Sequence, residues 1–410
     1  MLTANKERMQ AHLEQIAAMT EILGEITRRT YSGAWTDAVE YLRSAFERAG
    51  MTVRMDTFGN LIGRFNPANS KEKPLAIGSH LDSVKNAGKY DGVAGIVAGL
   101  EMITMLHERG IAPCFPVELI ATADEEGAIC QKGYFGARFM TGSLSADECL
   151  TFRNADGLNL AQLQKGCPLF NGLVFGTDAG WARDYYRGFL EIHVEQGSVL
   201  WRAEKPAGIV VGVVGIGRIF VTLRGSADHA GPTEMHGRQD ALAAAAALIT
   251  AVWNLGQAHN GEAVCTVGRL HNSPNIHNVI SGEAILVIDY RAQDDALARR
   301  LAESMRDEID RIAQAYCVTA QITDEIYTPV KRFDADMTDA VRRLGMDAEE
   351  LFSWAGHDAK AFAEVTPTAM IFMPSVGGKS HSPDEYTASE SFALVCENAV
   401  RLLTEGEFGL

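Results

Sequence analysis

Four short runs of β-forming residues constrain the fold more than any other feature of this chain: 75–79, 117–123, 189–195 and 369–373. In the first half of the chain they alternate with helical patterns. One such pattern covers 36–49, with Thr36 as the predicted N-cap and Gly50 at the end. Strands that alternate with helices form α/β sheets. We therefore predict an α/β domain.

Each run leads into residues that bind metals or carry protons. The residues concerned are His80, Asp82, Glu125, Glu126, His193 and His381. In open α/β sheets, ligands bind beyond the carboxyl ends of the strands. The order of the motifs therefore predicts one site at that edge of the sheet.

The segment from His80 to Asp91 has the spacing of a metal site. Residues two apart at a strand end share a face, so His80 can bind a metal while Asp82 holds its other ring nitrogen. Asp91 lies between glycines in GKYDG, where the backbone can approach a metal closely. An isolated H-x-D would more often be a surface histidine near a turn, and only the following loop favours a site.

Glu125 and Glu126 follow the second run directly. Adjacent carboxylates at a strand end repel each other unless a cation is near, although a solvated acidic loop is the alternative for an isolated pair. The two acids can have different roles. Glu126 would bind metal, and Glu125 would take a proton from the attacking water and return it to the leaving nitrogen.

The alternation in EIHVEQG places Glu191, His193 and Glu195 on one face of a strand. Burying three polar groups costs free energy unless something binds them. On an edge strand with one face exposed to solvent, the same groups would carry no such cost. His381 lies in the loop GGKSHSPDEY and would be an ordinary exposed histidine on its own.

Five of these side chains together predict a site for two metal ions: His80, Asp91, Glu126, His193 and His381. A carboxylate can bridge two cations while imidazoles and a second carboxylate complete each shell. Such a centre is typical of a dinuclear hydrolase.

A second domain is predicted inside the first, because 410 residues exceed the size at which one core stops growing. Its elements have the β-α-β-β-α-β order of ferredoxin-like domains: strand 218–225, helix 238–256, strands 263–270 and 283–291, helix 293–316, strand 318–328. We predict a catalytic domain of 1–212 and 329–410 and a lid or dimerisation domain of 213–328. The Gly-rich segment 208–217 and the region near Pro329 would be the hinges.

Composition indicates a soluble, acidic, cytoplasmic protein. A net charge of −16 and a pI near 5.2 argue against nucleic-acid and anionic-membrane partners. The cysteines show no CxxC pair, which indicates reduced thiols: Cys114, Cys130, Cys149, Cys167, Cys265, Cys317 and Cys396. The N-terminus has no signal-peptide pattern, and the apolar run 241–253 is too short to cross a bilayer, so we expect a buried helix there.

The chain resembles the M20 metallohydrolases, in particular the branch of N-carbamoyl-L-amino acid hydrolases, β-ureidopropionases and allantoate amidohydrolases. The resemblance covers nearly the whole chain and rests on GSHLDSV, KYDGVAG, DEEGA, EIHVEQG, DHAGPTEMHGRQDAL, NVISGEAILVIDYR, AGHDA and PSVGGKSHSPDEYT. The short gap between His80 and Asp91, and a histidine at 193, favour this branch over the M20 peptidases and aminoacylases.

The resemblance implies a metallopeptidase-like α/β catalytic domain with an inserted lid that also dimerises. One metal would take His80, Asp91 and His193, and the other Asp91, Glu126 and His381. Glu125 would be the base. The metals would be zinc or manganese, with cobalt or nickel as alternatives.

On the lid, the resemblance implies that His229 stabilises the anionic intermediate, reaching the site from the partner subunit of a homodimer. The substrate carboxylate would be held by Arg218, Asn278 and Arg291, since arginine can bind both oxygens. Gln196 and His357 are further substrate-binding candidates.

The implied substrate is a small carboxylate with a ureido or carbamoyl group. An M20 aminoacylase or dipeptidase is the nearest alternative, and a non-catalytic metal-binding dimer is a third. The stretches GAICQKGYFGARFMTG and DHAGPTEM depart from the usual pattern of the branch, which leaves the exact substrate open.

Overall fold

The computed structural model describes residues 2–129, 133–154, 157–170 and 176–406. It forms two compact units, Met1–Gly212 with Arg332–Leu410, and Val213–Lys331. Cys130 and part of the unusual stretch after Glu126 lie outside the described residues. Among the described cysteines, these thiols are free: Cys114, Cys167, Cys265, Cys317 and Cys396.

The described elements, in chain order, are α1 Lys6–Ala18, α2 Gly33–Arg48, β1 Thr52–Met55, β2 Leu61–Phe65, β3 Leu75–His80, α3 Val93–Arg109, β4 Val117–Thr122, α4 Phe135–Thr141, α5 Ala146–Thr151, α6 Leu160–Gln164, β5 Gly188–Val194, α7 Val199–Arg202, β6 Ala207–Val213, β7 Gly215–Arg224, α8 Ala241–Ala258, β8 Ala263–Ser273, β9 Glu283–Ala292, α9 Asp295–Ala315, β10 Thr319–Thr328, β11 Lys331–Arg332, α10 Ala335–Arg343, β12 Ala348–Ser353, α11 Asp358–Phe362, β13 Thr368–Met373 and α12 Ser389–Glu405.

The large unit is built on a mixed sheet with the strand order β1-β2-β4-β3-β5-β13-β6-β11, and β12 pairs with β6. Its centre, β4-β3-β5-β13, is parallel. Every residue of these four strands is buried, as expected for a parallel sheet covered on both faces. The predicted α/β class is confirmed, and the carboxyl ends of the central strands meet at one edge of the sheet.

The predicted start of α2 is wrong by one turn. Ser32, in an extended conformation, is the N-cap, and its hydroxyl accepts the Trp35 N–H at 3.2 Å. The Thr36 hydroxyl instead donates to the Ser32 carbonyl at 2.9 Å, one turn back in the helix. Gly50 follows the helix with φ +80°, as predicted for a terminating glycine.

The small unit has the predicted element order β7-α8-β8-β9-α9-β10. Its antiparallel sheet has the order β10-β7-β9-β8, and both helices pack on it to form a separate apolar core. The segment 208–217, predicted as a hinge, is mostly strand. β6 pairs with β13 and ends at Val213, and β7 begins at Gly215, so only Val214 lies between two strands.

Helix α8 differs from the buried helix predicted over 241–253. It has 18 residues and, within the described part of the chain, it is long and apolar enough to cross a membrane by length and composition alone. Ala244, Leu248 and Val252 on one face are buried in the core of the small unit. On the other face Leu242 and Trp253 are 38% and 62% exposed. The helix is therefore buried on one side only.

Candidate metal centre

The carboxylate of Asp91 lies between two groups of potential metal ligands. Its Oδ1 is 3.5 Å from His80 Nε2 and 3.2 Å from His193 Nε2, and the two imidazole nitrogens are 3.4 Å apart. Atoms that bind one tetrahedral ion at about 2.0–2.1 Å lie about 3.3–3.4 Å from each other. These three atoms therefore have the spacing of one coordination shell.

The second oxygen of Asp91 faces a different pair of side chains. His381 Nε2 is 3.0 Å from Asp91 Oδ2 and 3.4 Å from Glu126 Oε1. Asp91 thus presents one oxygen to each trio, which is the geometry of a bridging carboxylate. The structure brings together all five side chains that the sequence predicted as ligands.

The order of strands explains this convergence. His80 ends β3, and His193 lies near the end of the neighbouring parallel strand β5. Asp91 reaches them from the loop before α3 because Gly92 adopts φ +66°. A Cβ on Gly92 would lie 2.4 Å from the His80 carbonyl oxygen, so this close approach requires glycine.

Hydrogen bonds fix which ring nitrogen of each buried histidine can bind a metal. His80 Nδ1 lies 3.0 Å from the Asp82 main-chain carbonyl, and His193 Nδ1 lies 2.8 Å from that of Val194. Because a carbonyl only accepts, both Nδ1 atoms must donate. The Gly92 N–H also points to His193 Nε2 at 3.2 Å, so that atom is an acceptor. In each ring Nε2 is thus the nitrogen that could bind a metal.

The predicted role of Asp82 is corrected. Its main-chain carbonyl, and not its carboxylate, holds His80 Nδ1. The carboxylate instead accepts the N–H groups of Glu125 at 3.1 Å and Glu126 at 3.2 Å. Asp82 therefore positions the two acids that follow β4 while its backbone orients His80.

Two buried carboxylate oxygens, Asp91 Oδ1 and Glu126 Oε1, have no hydrogen-bond partner. Burying an unpaired carboxylate oxygen is costly. Contacts with three histidines hold the pKa of Asp91 well below its ordinary value, although burial acts in the opposite direction. A cation at each trio would satisfy both oxygens, so the residues present fit metal ions.

Glu125 is buried beside this centre, with Oε2 3.9 Å from His80 Nε2. It does not belong to either trio around Asp91. Burial raises its pKa well above the ordinary value; His80 opposes this effect, and the carboxylates of Glu126 and Asp358 add to it. A carboxyl group that holds its proton more tightly than usual is suited to proton transfer near neutral pH.

Two residues predicted to bind substrate contact the candidate ligands. Gln196 Nε2 donates to Asp91 Oδ2 at 3.0 Å. His357 is only 1% exposed, its Nε2 is 2.8 Å from Ser353 Oγ, and its ring centre lies 4.5 Å from that of His193. The His357 ring thus packs against a candidate ligand, and its role in substrate binding stays a prediction.

In the small unit, Asp289 holds both predicted arginines. Arg218 Nε is 3.3 Å from one of its oxygens, and Arg291 Nε is 3.0 Å from the other. Arg218 lies opposite Asp289 across the β7–β9 pair, and Arg291 is two residues further along β9, so all three share one face. Asp289 was missed in the sequence, although it stands in the same motif, IDYR, as Arg291.

The other two predicted lid residues are also neighbours in the small unit. An isolated β-bridge joins His229 to Val279, and the Ala230 N–H donates to the Asn278 carbonyl at 2.9 Å. His229 Nδ1 accepts the Gly231 N–H at 3.0 Å, so the neutral imidazole carries its proton on Nε2. His229 is exposed and can present that N–H to a ligand.

A family model described as peptidase family M20/M25/M40 matches residues 76–405. The chain belongs to this family. The resemblance seen in the motifs is thereby confirmed. The M20 family is metal-dependent, and the clusters of histidines and carboxylates around Asp91 could hold metal ions.

Relatives within the M20 family match the chain over nearly its full length. It is 32% identical to an N-carbamoyl-L-amino-acid amidohydrolase of Paenarthrobacter aurescens, covering 98% of both chains. It is also 32% identical to the allantoate amidohydrolase of Bacillus subtilis, covering 93% of this chain and 92% of that one. An amidase of the hydantoinase/carbamoylase family from Burkholderia multivorans is similar in structure, with a TM-score of 0.89, 28% identity and 99% coverage of both chains.

One buried acid beside the candidate metal centre, Glu385, was missed in the sequence. It is 4% exposed and lies four residues beyond His381, in the same motif. Its oxygens accept the N–H groups of Tyr90 and Asp91 and the hydroxyl of Ser380. The only sequence clue was its position in SPDEY, because its partners at 90 and 91 are far away along the chain.

Proposed function

We propose that this chain is a metal-dependent amidohydrolase that cleaves a C–N bond of a ureido or carbamoyl group on a small carboxylate substrate. The substrate would be of the N-carbamoyl-L-amino acid or allantoate type. The observation that carries the proposal is the Asp91 carboxylate placed between two ligand trios with Glu125 beside them. The relatives named for carbamoyl amino acids and for allantoate support the bond type.

The centre would hold two divalent ions, zinc or manganese, with cobalt or nickel as alternatives. His80, His193 and Asp91 Oδ1 would bind one, and His381, Glu126 and Asp91 Oδ2 the other. Bound there, such ions polarise a carbonyl oxygen and make water a stronger nucleophile. The unpaired oxygens of Asp91 and Glu126 support this assignment.

Glu125 is the group that moves protons in this proposal. Its carboxylate is buried, lies outside both trios and has a raised pKa. It would take the proton of the attacking water and deliver it to the nitrogen that leaves. The backbone N–H of Glu125 is bonded to Asp82 at 3.1 Å, which fixes the position from which the carboxylate acts.

The inserted unit, predicted as a lid and dimerisation domain over 213–328, would select the substrate. Arg218 and Arg291 share Asp289, which limits the conformations of both guanidinium groups and favours a fixed fork for a carboxylate. Asn278 and the Nε2–H of His229 would supply further donors, with His229 stabilising the anionic intermediate from the partner subunit.

We also propose a cytoplasmic homodimer that uses the exposed face of α8. Leu242, Ala246 and Trp253 lie on this face, spaced by whole turns of the helix. Exposed apolar stripes of this kind mark interfaces between proteins. The free thiols at the described cysteines support a reducing compartment.

The test is a substrate panel after reconstitution of the purified protein with manganese or zinc. N-carbamoyl-L-amino acids, allantoate, N-acyl amino acids and dipeptides are assayed side by side, with Glu125→Gln as the inactive control. Turnover of a carbamoyl or ureido substrate well above the others is expected. Preference for N-acyl or peptide substrates would indicate an aminoacylase or dipeptidase, and no turnover by metal-loaded protein would indicate a binding protein.

A further inference from the structure

The carboxylate of Glu385 connects two loops that each carry a proposed metal ligand. Its Oε2 accepts the N–H of Tyr90 at 2.9 Å and the N–H of Asp91 at 3.1 Å. Its Oε1 accepts the hydroxyl of Ser380 at 2.8 Å, next to His381. The loop of the bridging Asp91 and the loop of His381 are thus tied to the two oxygens of one side chain.

Gly88 packs closely against this buried side chain. Glu385 is 4% exposed. A Cβ placed on Gly88, three residues before Asp91, would lie 2.2 Å from Glu385 Oε2 and 2.3 Å from its Cβ. Any side chain at position 88 must therefore displace Glu385. The position of Glu385 therefore depends on a glycine at residue 88.

We propose that Glu385 is a positioning residue of the metal centre, which holds Asp91 and His381 at the separation that one ion requires. His381 Nε2 and Asp91 Oδ2 are 3.0 Å apart, yet they belong to separate loops. His381 is also the most exposed of the proposed ligands, with 47% of its side chain accessible. Its position therefore depends on its loop more than on surrounding side chains.

This inference rests on the proposed metal centre and does not depend on which substrate is cleaved. Removing the carboxylate leaves the buried N–H groups of Tyr90 and Asp91 without their acceptor. Residues that orient metal ligands in this way typically change metal affinity about 10- to 100-fold when replaced. The loss should fall mainly on the ion held by His381, because His80 and His193 keep their own hydrogen bonds.

The experiment measures manganese binding to the full-length chain by calorimetry, with bound metal counted by elemental analysis. We expect Glu385→Ala to retain one ion per chain and to lose affinity for the second at least tenfold. Gly88→Ala should have the same effect with Glu385 still present. Glu385→Gln should bind nearly as well as the wild type, because the amide oxygen can accept both N–H groups and its NH₂ can donate to Ser380.

Glu101→Ala is the matched control. Glu101 is also buried, and it accepts the Asn5 N–H at 2.7 Å, but it bonds to neither ligand loop. It should lower the melting temperature without changing the number of ions bound. If Glu385→Ala does not fold, Gly88→Ala and Glu385→Gln provide the comparison.

Wild-type affinity for two ions in Glu385→Ala or Gly88→Ala would overturn the inference, as would equal loss of metal in Glu101→Ala. Wild-type protein that binds two ions and cleaves no carbamoyl or ureido substrate would refute the proposed substrate class alone. Wild-type protein that binds fewer than two ions would refute both proposals.

Discussion

Metal binding at the His381 side of the centre should release protons, and the structure sets their number. A hydrogen bond with Asp91 raises the pKa of His381 to about 9, against the effect of burial. Burial and the charge of Asp91 raise the pKa of Glu126 to about 7. Both groups must lose their protons before they can bind an ion.

With these pKa values, the metal-free chain at pH 7 would hold about one proton on His381 and about half a proton on Glu126. Binding of one ion should displace about 1.5 protons from these two groups. Because the metal competes with protons, affinity must rise with pH. The logarithm of the binding constant should increase by about 1.5 per pH unit near pH 7 and by about 0.5 near pH 9.

Calorimetric titration with manganese in two buffers of the same pH and different ionisation enthalpy measures the protons released. His381→Ala serves as the control, since it removes the largest contributor and should reduce the count by about one. A proton release near zero at pH 7, or an affinity that falls as the pH rises, would refute the assignment of His381 and Glu126 as ligands.

Glu125, Arg291, helix α8 and the bound ions each give one further prediction. Glu125→Gln should retain its metal content and lose about 10²- to 10⁴-fold in kcat, measured with elemental analysis alongside; normal turnover would exclude Glu125 as the proton carrier. Arg291→Ala should raise KM about 10- to 100-fold for carboxylate substrates, in line with the loss of a charged hydrogen bond, and an unchanged KM would contradict the carboxylate assignment. Trp253→Asp should halve the mass seen by light scattering, while Trp201→Asp, at an exposed tryptophan of the large unit, should not; equal masses would exclude the α8 interface. Chelation should lower the melting temperature, because an ion at 100 times its Kd stabilises the fold by about 2.7 kcal/mol; an unchanged melting temperature would argue against a bound ion.

The candidate ligands could be predicted from the sequence because their placement is local. His80 and His193 lie at or near strand ends, and strand patterns are visible in short windows. Asp91 followed from its flanking glycines. The ferredoxin-like order of the small unit was equally accessible, since each element has its own periodicity.

Contacts between distant parts of the chain were not accessible in this way. Glu385 and its partner Tyr90 are 295 residues apart, and nothing in the spacing of either segment points to the other. His357 in AGHDA was predicted as a substrate-binding candidate, and nothing in that motif indicates that the fold packs it against His193. Asp82 was assigned the correct neighbours but the wrong atoms, because sequence cannot distinguish a carboxylate contact from a main-chain one.

The charges around the centre explain why it should need cations. Burial lowers the pKa of Arg28 to about 10, and the charge of the nearby Asp82 opposes this effect. Asp82 therefore has the positively charged side chain of Arg28 close to it. The carboxylate of Asp91 has the three imidazoles of His80, His193 and His381 instead, and contacts with it raise the pKa of each one. An imidazole that carries a proton on Nε2 cannot bind a metal ion through that nitrogen. In the proposed reaction the metal ions would therefore displace any proton on these Nε2 atoms before Glu125 acts beside a polarised substrate.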